Sequence, residues 1–553
     1  MPGDFETVST AGAVRAGIEL TRLPWVRSFH AAYELNFASV ASLFAGHPGD
    51  PAAWPRVMAA VARAARDRAR TAEIVGQELA GRGAPDAARS NARRLADPAT
   101  FAILTGQQAG LFGGPLYTVL KAITTIQIAR HVEATYGVPA VPVFWVAAED
   151  HDWHEVRSAT VLDADMETRR LAAPDVAGAG AQPIGALVFD EGIRPVLDAL
   201  GASLPRTAWT DDLLADLGRY YRPGSNLGAA LAGWLDQLFG RHGLVVFNGA
   251  NPAAKPLVAD LFAAELGAPE RTAREVRRQA AVLEAMGHGA QVVPAEHATA
   301  LFYLDGAGRQ PIRFADGAFL VGDATRQPAD LRAEALAHPD RFSPNVMLRP
   351  LVQDRLFPTI CYVAGPGELA YQAQFGGVYD AFGVARPLFA SRASATFVDA
   401  AAARFLERQD VPFEDLAIQD DSVLNRLVER GLASGSGAAA DEAETAIRDR
   451  MAALKAAAVA VDPTLGGAAD TTLARMQQAL DGFRQKIVRA AKRRDDTLRR
   501  QFTRTRTLCF PDGHPQERTL SVAALINQYG PGLLDQLLDE LPIDASRHYL
   551  VVP

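Results

Sequence analysis

Short apolar runs alternate with longer helix-like patterns over much of the chain. The runs lie at 101–104, 140–147, 244–248, 359–364 and, more briefly, 387–390. Alternating strand and helix patterns are typical of a mostly parallel sheet, whose right-handed crossovers place helices on both faces. The pattern therefore predicts an α/β fold built on a parallel sheet.

Two gaps between these runs are longer than a simple crossover helix requires. They span about 155–240 and 250–355, and each predicts an inserted subdomain. Within the second gap, residues 298–322 alternate in polarity around DG and GAG sequences, which favour tight hairpin turns. We expect a local antiparallel patch there.

The pattern changes beyond about residue 395, where the composition becomes helical. Two apolar series with steps of three and four residues flank a turn-like segment at 462–467: Ile447, Met451, Leu454, Ala458 and Val461, then Leu473, Met476, Leu480, Phe483, Ile487 and Ala490. This repeat predicts an antiparallel coiled-coil hairpin, and the alternative is a helical bundle packed on the core. The expected division is a core at 1–395, a coiled coil at 396–505 and a segment at 506–553 that returns to the core.

Composition and charge narrow the class of protein. A net charge of −8, from 56 basic and 64 acidic residues, argues against a dedicated nucleic-acid-binding protein. The longest apolar stretch, 138–148, is too short to span a bilayer, and the first residues show no secretory leader. With only two cysteines, neither a disulfide framework nor a thiolate metal site is expected. We predict a cytoplasmic protein with no nucleic-acid or membrane partner.

The segment 101–121 carries the first candidate site. An apolar strand at 101–104 runs into a turn that is rich in glycine, and Pro115 opens the next helix. Glycine allows close approach to a ligand, and a helix N-terminus favours an anion. The spacing fits neither GxGxxG nor a GxxxxGKS or GxxxxGKT loop. The pattern indicates a nucleotide or carboxylate cradle, with these candidate substrate-binding residues: Thr105, Gly106, Gly110, Tyr117 and Lys121.

A second candidate site follows the strand at 140–147. Six polar side chains crowd into the next positions: Glu149, Asp150, His151, Asp152, His154 and Glu155. Ligands of parallel sheets bind beyond the carboxyl ends of strands, so this cluster and the glycine turn are expected to share one crevice. Such side chains bind a divalent metal, orient an amine or transfer protons, or else one or two of them cap the next helix. We take His151 and Asp152 as candidate catalytic residues and Trp145, Glu149 and Asp150 as candidate substrate-binding residues, and a metal requirement stays open.

Residues 362–371 repeat the strand, glycine turn and helix. This pattern makes Gly365, Gly367 and Glu368 candidate substrate-binding residues. Glu368 either complements the helix dipole or binds an amine or a ribose hydroxyl, and the sequence favours neither.

The strand near 387–390 ends in residues suited to phosphate or carboxylate, namely Ser391, Arg392 and Ser394. Arg504 and Arg506 lie at the base of the predicted hairpin. We expect these five residues to form a second anion pocket.

Four motifs resemble those of the cysteine-adding enzymes of bacillithiol biosynthesis. They are LTGQQAGLFGGPLYTVLKAI (104–123), PVFWVAAEDHDWHEV (142–156), YVAGPGELAYQAQF (362–375) and RPLFASRAS (386–394). Their order and spacing agree with that family, and LPWVRSFHAAYELNF (23–37) fits too, so the resemblance covers essentially the full length.

The resemblance implies a fold and an activity. The fold would be a Rossmann-like core related to class I aminoacyl-tRNA synthetases and other nucleotidyl transferases, with two connecting-peptide insertions and a coiled coil that forms a homodimer. The activity would add L-cysteine to the amine of glucosaminyl-malate and complete bacillithiol. A second pocket that binds ADP also occurs in the family, and we assign it to the predicted anion pocket at the hairpin base.

Joining a cysteine carboxylate to an amine requires activation of that carboxylate, most simply by ATP as an adenylate or an acyl phosphate. We expect Gln107 and Gln108 to donate hydrogen bonds where class I synthetases use a histidine motif. His151 and Asp152 would orient or deprotonate the amine, since only the neutral amine attacks. Two alternatives stay open: a non-catalytic binding protein whose coiled coil recruits a partner, and a condensation with a different amine acceptor.

Overall fold

The computed structural model of the protein describes residues 12–432, 436–494 and 496–553. The chain divides into a core unit, Met1–Phe397 with Gln516–Pro553, and a helical unit, Val398–Pro515. The core unit resumes at Gln516, and a helix of the helical unit continues to Cys509.

The strands fall in the core unit. In chain order they are β1 (Val14–Glu19), β2 (Phe101–Gln108), β3 (Ala140–Ala147), β4 (Ser158–Leu162), β5 (Thr168–Ala172), β6 (Val245–Asn248), β7 (Ala298–Asp305), β8 (Gly308–Ala315), β9 (Ala318–Val321), β10 (Ala324–Arg326), β11 (Phe342–Pro344), β12 (Thr359–Ala364), β13 (Leu388–Ser391), β14 (Ser394–Phe397) and β15 (Arg547–Val551).

The α-helices occur in both units. They are α1 (Ser28–Leu35), α2 (Ala53–Arg63), α3 (Arg68–Arg82), α4 (Asp86–Arg94), α5 (Tyr117–Tyr136), α6 (Trp153–Val156), α7 (Ile193–Ser203), α8 (Thr210–Tyr220), α9 (Leu227–Phe239), α10 (Ala259–Gly267), α11 (Arg271–Ala285), α12 (Pro328–Ala337), α13 (Arg349–Leu356), α14 (Pro366–Gln372), α15 (Gly376–Phe382), α16 (Ala400–Gln409), α17 (Ser422–Leu432), α18 (Ser436–Val461), α19 (Leu465–Arg494), α20 (Asp496–Cys509), α21 (Gln516–Thr519), α22 (Val522–Tyr529) and α23 (Gly532–Glu540). In the described parts of the chain, none of them is both long and apolar enough to cross a bilayer.

The central sheet is parallel and has the strand order β13–β12–β2–β3–β6. The chain starts the sheet with β2, adds β3 and β6 on one side, and returns to place β12 and β13 on the other. The order therefore reverses between β2 and β12, and such a switch point leaves a crevice at the carboxyl ends of the strands. The predicted α/β fold with a parallel sheet is confirmed.

Buried side chains explain why these segments form an internal sheet. All residues of β12 are buried, as are those of β2 and β3 apart from the residues at their carboxyl ends. A parallel sheet covered on both faces needs such continuous apolar strands rather than alternating ones. α5 packs on β2 and β3 and is itself buried along most of its length.

The two long gaps contain additional elements. Between β3 and β6 lie the antiparallel hairpin β4–β5 and helices α6 to α9, of which α9 packs on β3 and β6. Between β6 and β12 lie α10 to α13 and an antiparallel sheet of order β10–β9–β8–β7–β11. Its β8–β9 turn uses Asp316 and Gly317, whose positive φ angles of 51° and 76° suit a tight hairpin. The antiparallel patch predicted for 298–322 is therefore present.

The end of the core unit is an integral part of it. β15 pairs antiparallel with β1 and parallel with β14. The buried amide of Gln127, in α5, donates to the carbonyls of Leu538 and Leu541 at 3.2 and 2.6 Å. Residues 516–553 thus close over the first helix of the central sheet.

α18 and α19 form an antiparallel hairpin in the helical unit. Lys455 pairs with Asp470 at 2.6 Å, and Arg484 pairs with Asp441 at 3.1 Å. Of the predicted apolar series, Met451 is 9% exposed, whereas Leu454 and Phe483 are 59% and 60% exposed. The hairpin by itself covers only part of that series.

Candidate active site

A cavity of about 570 Å³ opens at the switch point of the central sheet. Residues 106–108 at the end of β2, Ala147 at the end of β3 and residues 365–367 after β12 line it. Phe302 and residues 344–346, from the second gap, line it as well. Its size and its position at the carboxyl ends of the strands are typical of a small-molecule site, so it is the candidate active site.

The cavity gathers most of the residues that the sequence singled out. Those lining it are Gly106, Gln107, Gln108, Tyr117, Lys121, Trp145, Glu149, Asp150, Gly365, Gly367, Glu368 and Arg392. Those outside its lining are Thr105, Gly110, His151, Asp152, Ser391 and Ser394 in the core unit, and Arg504 and Arg506 in the helical unit.

β2 continues to Gln108, four residues beyond its predicted end at 104. Gly106, Gln107 and Gln108 therefore belong to the strand, where they pair with residues 145–147 of β3. A Cβ on Gly106 would lie 3.0 Å from the Trp145 carbonyl oxygen, which explains the glycine. Thr105 is fully buried, and its hydroxyl donates to the Val363 carbonyl at 2.8 Å, a bond between neighbouring strands.

The glycine turn after β2 is packed against protein. Phe112, Gly113 and Gly114 have φ angles of 50°, 91° and 69°, which demand glycine or a strained residue. A Cβ on Gly113 would lie 2.3 Å from the ring of Trp234, in α9. The same turn brings Gly110 against Gly114. A Cβ on Gly110 would lie 2.6 Å from the Cα of Gly114.

The N-terminus of α5 is also occupied by protein. The amide of Leu116 donates to the Leu520 carbonyl at 2.9 Å, and the Ser521 hydroxyl donates to the Phe112 carbonyl at 3.1 Å. The amide of Gly113 donates to the Tyr221 hydroxyl at 2.9 Å. Two of the donors expected to cradle an anion, the amides of Gly113 and Leu116, are thus used in joining the turn to remote segments.

Lys121 is the best-buried charge of the cavity, with 1% of its side chain exposed. Its ammonium pairs with Glu368 and donates to the Gly106 carbonyl at 2.7 Å and to Oε1 of Gln107 at 3.1 Å. Burial lowers the pKa of Lys121, and Glu368 opposes that shift.

Glu368 has partners within the protein for both carboxylate oxygens. The amide of Gly365 donates to Oε2 at 2.8 Å, and the Tyr362 hydroxyl donates to Oε1 at 2.9 Å. Burial alone would raise the pKa of Glu368, but the ammonium of Lys121 lowers it below its usual value. This carboxylate therefore caps α14 and balances Lys121, and the binding of a ligand amine or ribose hydroxyl by Glu368 stays a prediction.

An acidic cluster lies beside the end of β2. The Gln108 amide nitrogen donates to Asp150 at 2.8 Å and to Glu155 at 2.9 Å. Burial would raise the pKa of Asp150, but the Gln108 hydrogen bond and the positive charge of Arg309 lower it below its usual value. Asp150 is therefore ionised at neutral pH and, with Glu155, offers anionic oxygen to a bound amine.

The other residues of the predicted catalytic cluster have different positions. Asp152 accepts from the Glu155 amide at 3.2 Å and caps α6, as the capping alternative predicts. Nδ1 of His151 lies 3.1 Å from a guanidinium nitrogen of Arg309. Glu149 is buried and pairs with Lys255, whose ammonium also donates to the Phe342 carbonyl at 3.2 Å.

Arg392 is held by a carboxylate from the last part of the chain. Its guanidinium donates to both oxygens of Glu517, at 2.7 and 3.0 Å. Ser394 donates to Glu517 at 3.0 Å and lies 2.7 Å from Nδ1 of His548. Burial raises the pKa of Glu517 on its own, but Arg392 lowers it, so the pair is ionised.

The two arginines predicted at the hairpin base have partners in the helical unit. Arg504 donates to both oxygens of Asp399 at 3.2 and 2.5 Å, and Arg506 donates to the carbonyls of Gln419 and Asp420 at 3.3 and 3.4 Å. The second nucleotide pocket stays a prediction.

Neither a metal site nor a reactive thiol is apparent in the described residues. These contain no group of three or more His, Cys, Asp or Glu side chains placed to hold a metal ion. Cys361 and Cys509 are buried, and burial raises the pKa of both thiols.

Two family models match the chain and together cover most of its length. Bacillithiol biosynthesis BshC, N-terminal Rossmann-like domain, matches residues 18–393, and the C-terminal coiled-coil domain of BshC matches residues 395–552. The chain belongs to the BshC family. The predicted family, its Rossmann-like core and its coiled coil are confirmed.

Relatives with the name putative cysteine ligase BshC occur in Salinibacter ruber, Chlorobaculum tepidum and Symbiobacterium thermophilum. The first is 36% identical, and the match covers 94% of this chain and 95% of the relative. The other two are each 32% identical, with 83% and 84% coverage for the Chlorobaculum protein and 87% and 89% for the Symbiobacterium protein. The names of these relatives make the BshC family one of ligases.

Several lining residues had no signal in the sequence. Arg309 begins a hairpin strand, Arg349 opens α13, and Arg518 lies in the four-residue helix α21. None of them follows a strand of the central sheet, so the rule that located the acidic cluster does not reach them. Only an alignment of BshC sequences would mark such isolated positions.

Proposed function

We propose that the protein joins the carboxyl group of L-cysteine to the amine of glucosaminyl-malate and so completes bacillithiol, with ATP activating the carboxyl group. The observation that carries the proposal is the presence in one cavity of two sets of opposite charge. Asp150 and Glu155, bridged by Gln108, form the acidic cluster. The positive set consists of arginines that line the same cavity: Arg309, Arg349, Arg392 and Arg518.

The acidic cluster suits the amine of the acceptor. An ionised Asp150 attracts and orients the ammonium form, which releases one proton to water to give the neutral amine that attacks. This role belonged to His151 and Asp152 in the sequence-based hypothesis. His151 contacts Arg309 and adjoins Asp150, so it is a positioning residue, while Asp152 acts through its cap on α6.

The arginines suit the activated carboxyl group. ATP supplies a phosphate leaving group, in an adenylate or an acyl phosphate, and arginine binds such oxygens with two parallel hydrogen bonds. In the transfer, the amine nitrogen forms a bond to the cysteine carbonyl carbon while the bond from that carbon to the phosphate oxygen breaks. The amine loses its proton to Asp150, and the phosphate group leaves with the electron pair. Because the glycine turn is packed against Trp234 and the α5 N-terminus against Leu520, we assign the phosphate group to three of the arginines, Arg309, Arg349 and Arg392.

The direct test is mass spectrometry of the products formed from ATP, cysteine and glucosaminyl-malate. We expect bacillithiol, together with AMP and pyrophosphate if an adenylate forms, or ADP and phosphate if an acyl phosphate forms. No product under any condition, with glucosaminyl-malate still bound in calorimetry, would favour the alternative of a non-catalytic binding protein. Product from another amine but not from glucosaminyl-malate would favour the alternative acceptor.

Two variants test whether the cavity is the site. Gln108→Ala removes the donor that holds Asp150 and Glu155, and His151→Ala removes the neighbour of Arg309. We expect both to abolish cysteine addition while circular dichroism shows a folded protein. Turnover retained in both variants would remove the cavity from consideration.

We also propose that the protein is a homodimer through α18 and α19. Exposed apolar side chains on this hairpin, including Leu454 and Phe483, would be covered by a second copy. Sedimentation of the wild type should give a dimer, and a Leu454→Glu and Phe483→Glu double variant should give a monomer. A monomeric wild type would contradict this proposal.

A further inference from the structure

Arginines of the cavity differ in how their charge is used. Among the described residues, four arginines line the cavity, and three of these donate hydrogen bonds to neighbours in the core unit. Arg309 donates to the Pro344 carbonyl at 2.9 Å, Arg349 to the Tyr371 hydroxyl at 2.9 Å, and Arg392 to both oxygens of Glu517.

Arg518 is the exception. Its side chain is exposed, and it forms no hydrogen bond or ion pair with the described residues. A free arginine on a protein surface is ordinary, but this one lines the cavity. Its guanidinium offers five donors in a planar fork that matches a carboxylate or a phosphate.

The backbone on both sides of Arg518 is fixed. The preceding Glu517 is buried and binds Arg392, and the Leu520 carbonyl accepts the hydrogen bond from Leu116. Neighbours so anchored limit the positions that the free guanidinium can reach, which lowers the entropic cost of binding an anion.

The charges near Arg518 can be identified from the groups that act on the phenol of Tyr117. Burial raises the pKa of the Tyr117 phenol, and the positive charges of Arg392 and Arg518 oppose that shift. The carboxylates of Glu368 and Glu155 act on the same phenol in the opposite sense. Arg518 and the acidic cluster are therefore both within electrostatic reach of one side chain.

This surrounding charge selects among anions. A polyphosphate beside Arg518 would be repelled by Glu155 and Asp150. A molecule with an amine and a carboxylate on neighbouring groups would satisfy both charges at once. Glucosaminyl-malate is such a molecule, because its amine is on C2 of the sugar and its malyl group is on the adjacent C1.

We propose that Arg518 binds a carboxylate of the malyl group and so selects an acceptor that carries an acid beside its amine. This inference rests on the proposed function. It assigns to Arg518 the specificity for the acceptor, whereas the chemistry of the amine belongs to the acidic cluster.

The test compares two acceptors with two variants in steady-state kinetics. Arg518→Gln should raise KM for glucosaminyl-malate about 10- to 100-fold, the effect of losing a hydrogen bond between charged groups, with kcat nearly unchanged. Arg518→Lys, which keeps the charge but not the fork, should give a smaller rise. Methyl glucosaminide lacks the malyl group, so the wild type and Arg518→Gln should use it equally poorly.

The matched control is Arg313→Gln, which removes the same charge from an exposed position of β8 outside the cavity lining. It should leave all constants at their wild-type values. An increased KM for ATP or cysteine in Arg518→Gln, an unchanged KM for glucosaminyl-malate, or a defect that persists with methyl glucosaminide would each overturn the inference.

Calorimetry separates this inference from the proposed function. Glucosaminyl-malate alone should bind the wild type, and Arg518→Gln should weaken that binding by the same factor. If the wild type yields no bacillithiol yet shows this loss of binding, the ligase proposal fails and the role of Arg518 stands. If bacillithiol forms and the binding is equal in both proteins, the role of Arg518 fails alone.

Discussion

The connections β2–α5 and β12–α14 look alike in sequence but differ in what surrounds them. Each leaves a buried strand, passes glycines and enters a helix near a proline. In the first, a Cβ on Gly113 would lie 2.3 Å from Trp234. In the second, a Cβ on Gly367 would meet no atom within 4 Å, and this glycine lines the cavity.

The difference comes from covering segments that are remote in sequence. α9 supplies Trp234, and the segment after Gln516 supplies Leu520 and Ser521, so the first connection is closed. In the second connection, Gly367 faces the open cavity at the carboxyl ends of the strands. A glycine-rich turn after a parallel strand therefore marks only a possible ligand site, and the segments packed on it decide its role.

Of the variants that test this comparison, Gly113→Ala should have the largest effect on the stability of the protein. Gly113→Ala places a methyl group against Trp234 and forces a residue with a Cβ to a φ of 91°. Overpacking and backbone strain together should lower the free energy of unfolding by about 2 to 5 kcal/mol, measured by urea denaturation. Restoration of part of this loss by Trp234→Leu would identify the clash as its cause. A loss below about 1 kcal/mol would show that the turn is not closed as described.

Breaking the ion pair between Lys121 and Glu368, which links the two connections, should have the second-largest effect on stability. Lys121→Met leaves Glu368 partly buried without its cation, which should cost about 2 to 3 kcal/mol at neutral pH. The pKa of Glu368 is lowered in the folded protein, so its contribution is present above its unfolded pKa of about 4.3 and is lost as the pH falls through the folded value.

The stability difference between wild type and Lys121→Met should therefore shrink in acid. Urea denaturation at a series of pH values measures it. The double variant Lys121→Met with Glu368→Gln should be more stable than Lys121→Met alone at neutral pH, because no unpaired charge remains. A difference that is independent of pH would mean that the lost stability comes from packing of the lysine stem.

Loosening the closure of the first connection should have a smaller effect. Ser521→Ala removes the hydrogen bond to the Phe112 carbonyl and the cap on the Ala523 amide. We expect a loss of about 1 to 2 kcal/mol in thermal or urea unfolding. Ser203→Ala, on the exposed surface of α7, is the control and should change stability by less than about 0.5 kcal/mol. Equal effects would indicate that Ser521 does not hold the turn.

Gly367→Ala should have the smallest effect on stability. The glycine is at the start of α14 with open space around it, so alanine should be neutral or stabilise by up to about 1 kcal/mol. Together with Gly113→Ala, this variant tests directly whether two similar connections differ in packing. A loss as large as that of Gly113→Ala would remove the distinction.

The sequence predicted the strands well where burial is continuous. β3 and β12 have the predicted bounds, 140–147 and 359–364. β2 is longer than expected because Gln107 and Gln108, though polar, still pair with β3. β2 is extended by its pairing with β3, and the local sequence pattern does not report such pairing.

The site was predictable only where it follows a strand of the central sheet. That rule found Asp150, which follows β3, and Lys121, in the helix that follows β2. Both residues line the cavity. It did not separate Asp150 from Asp152, because the direction of each side chain depends on the short helix α6. It also missed Arg518, which reaches the cavity from a distant part of the chain.

The order of synthesis gives the closing segment a further consequence. The sheet strands β2, β3 and β12 leave the ribosome before the helical unit, and Glu517 and Leu520 leave after it. Until then the nascent core lacks the Glu517 carboxylate for Arg392, and Trp234 of α9 covers the first turn without Leu520 and Ser521. Translation of the intervening helices therefore sets a delay during which the core strands are already made but the cavity is not complete.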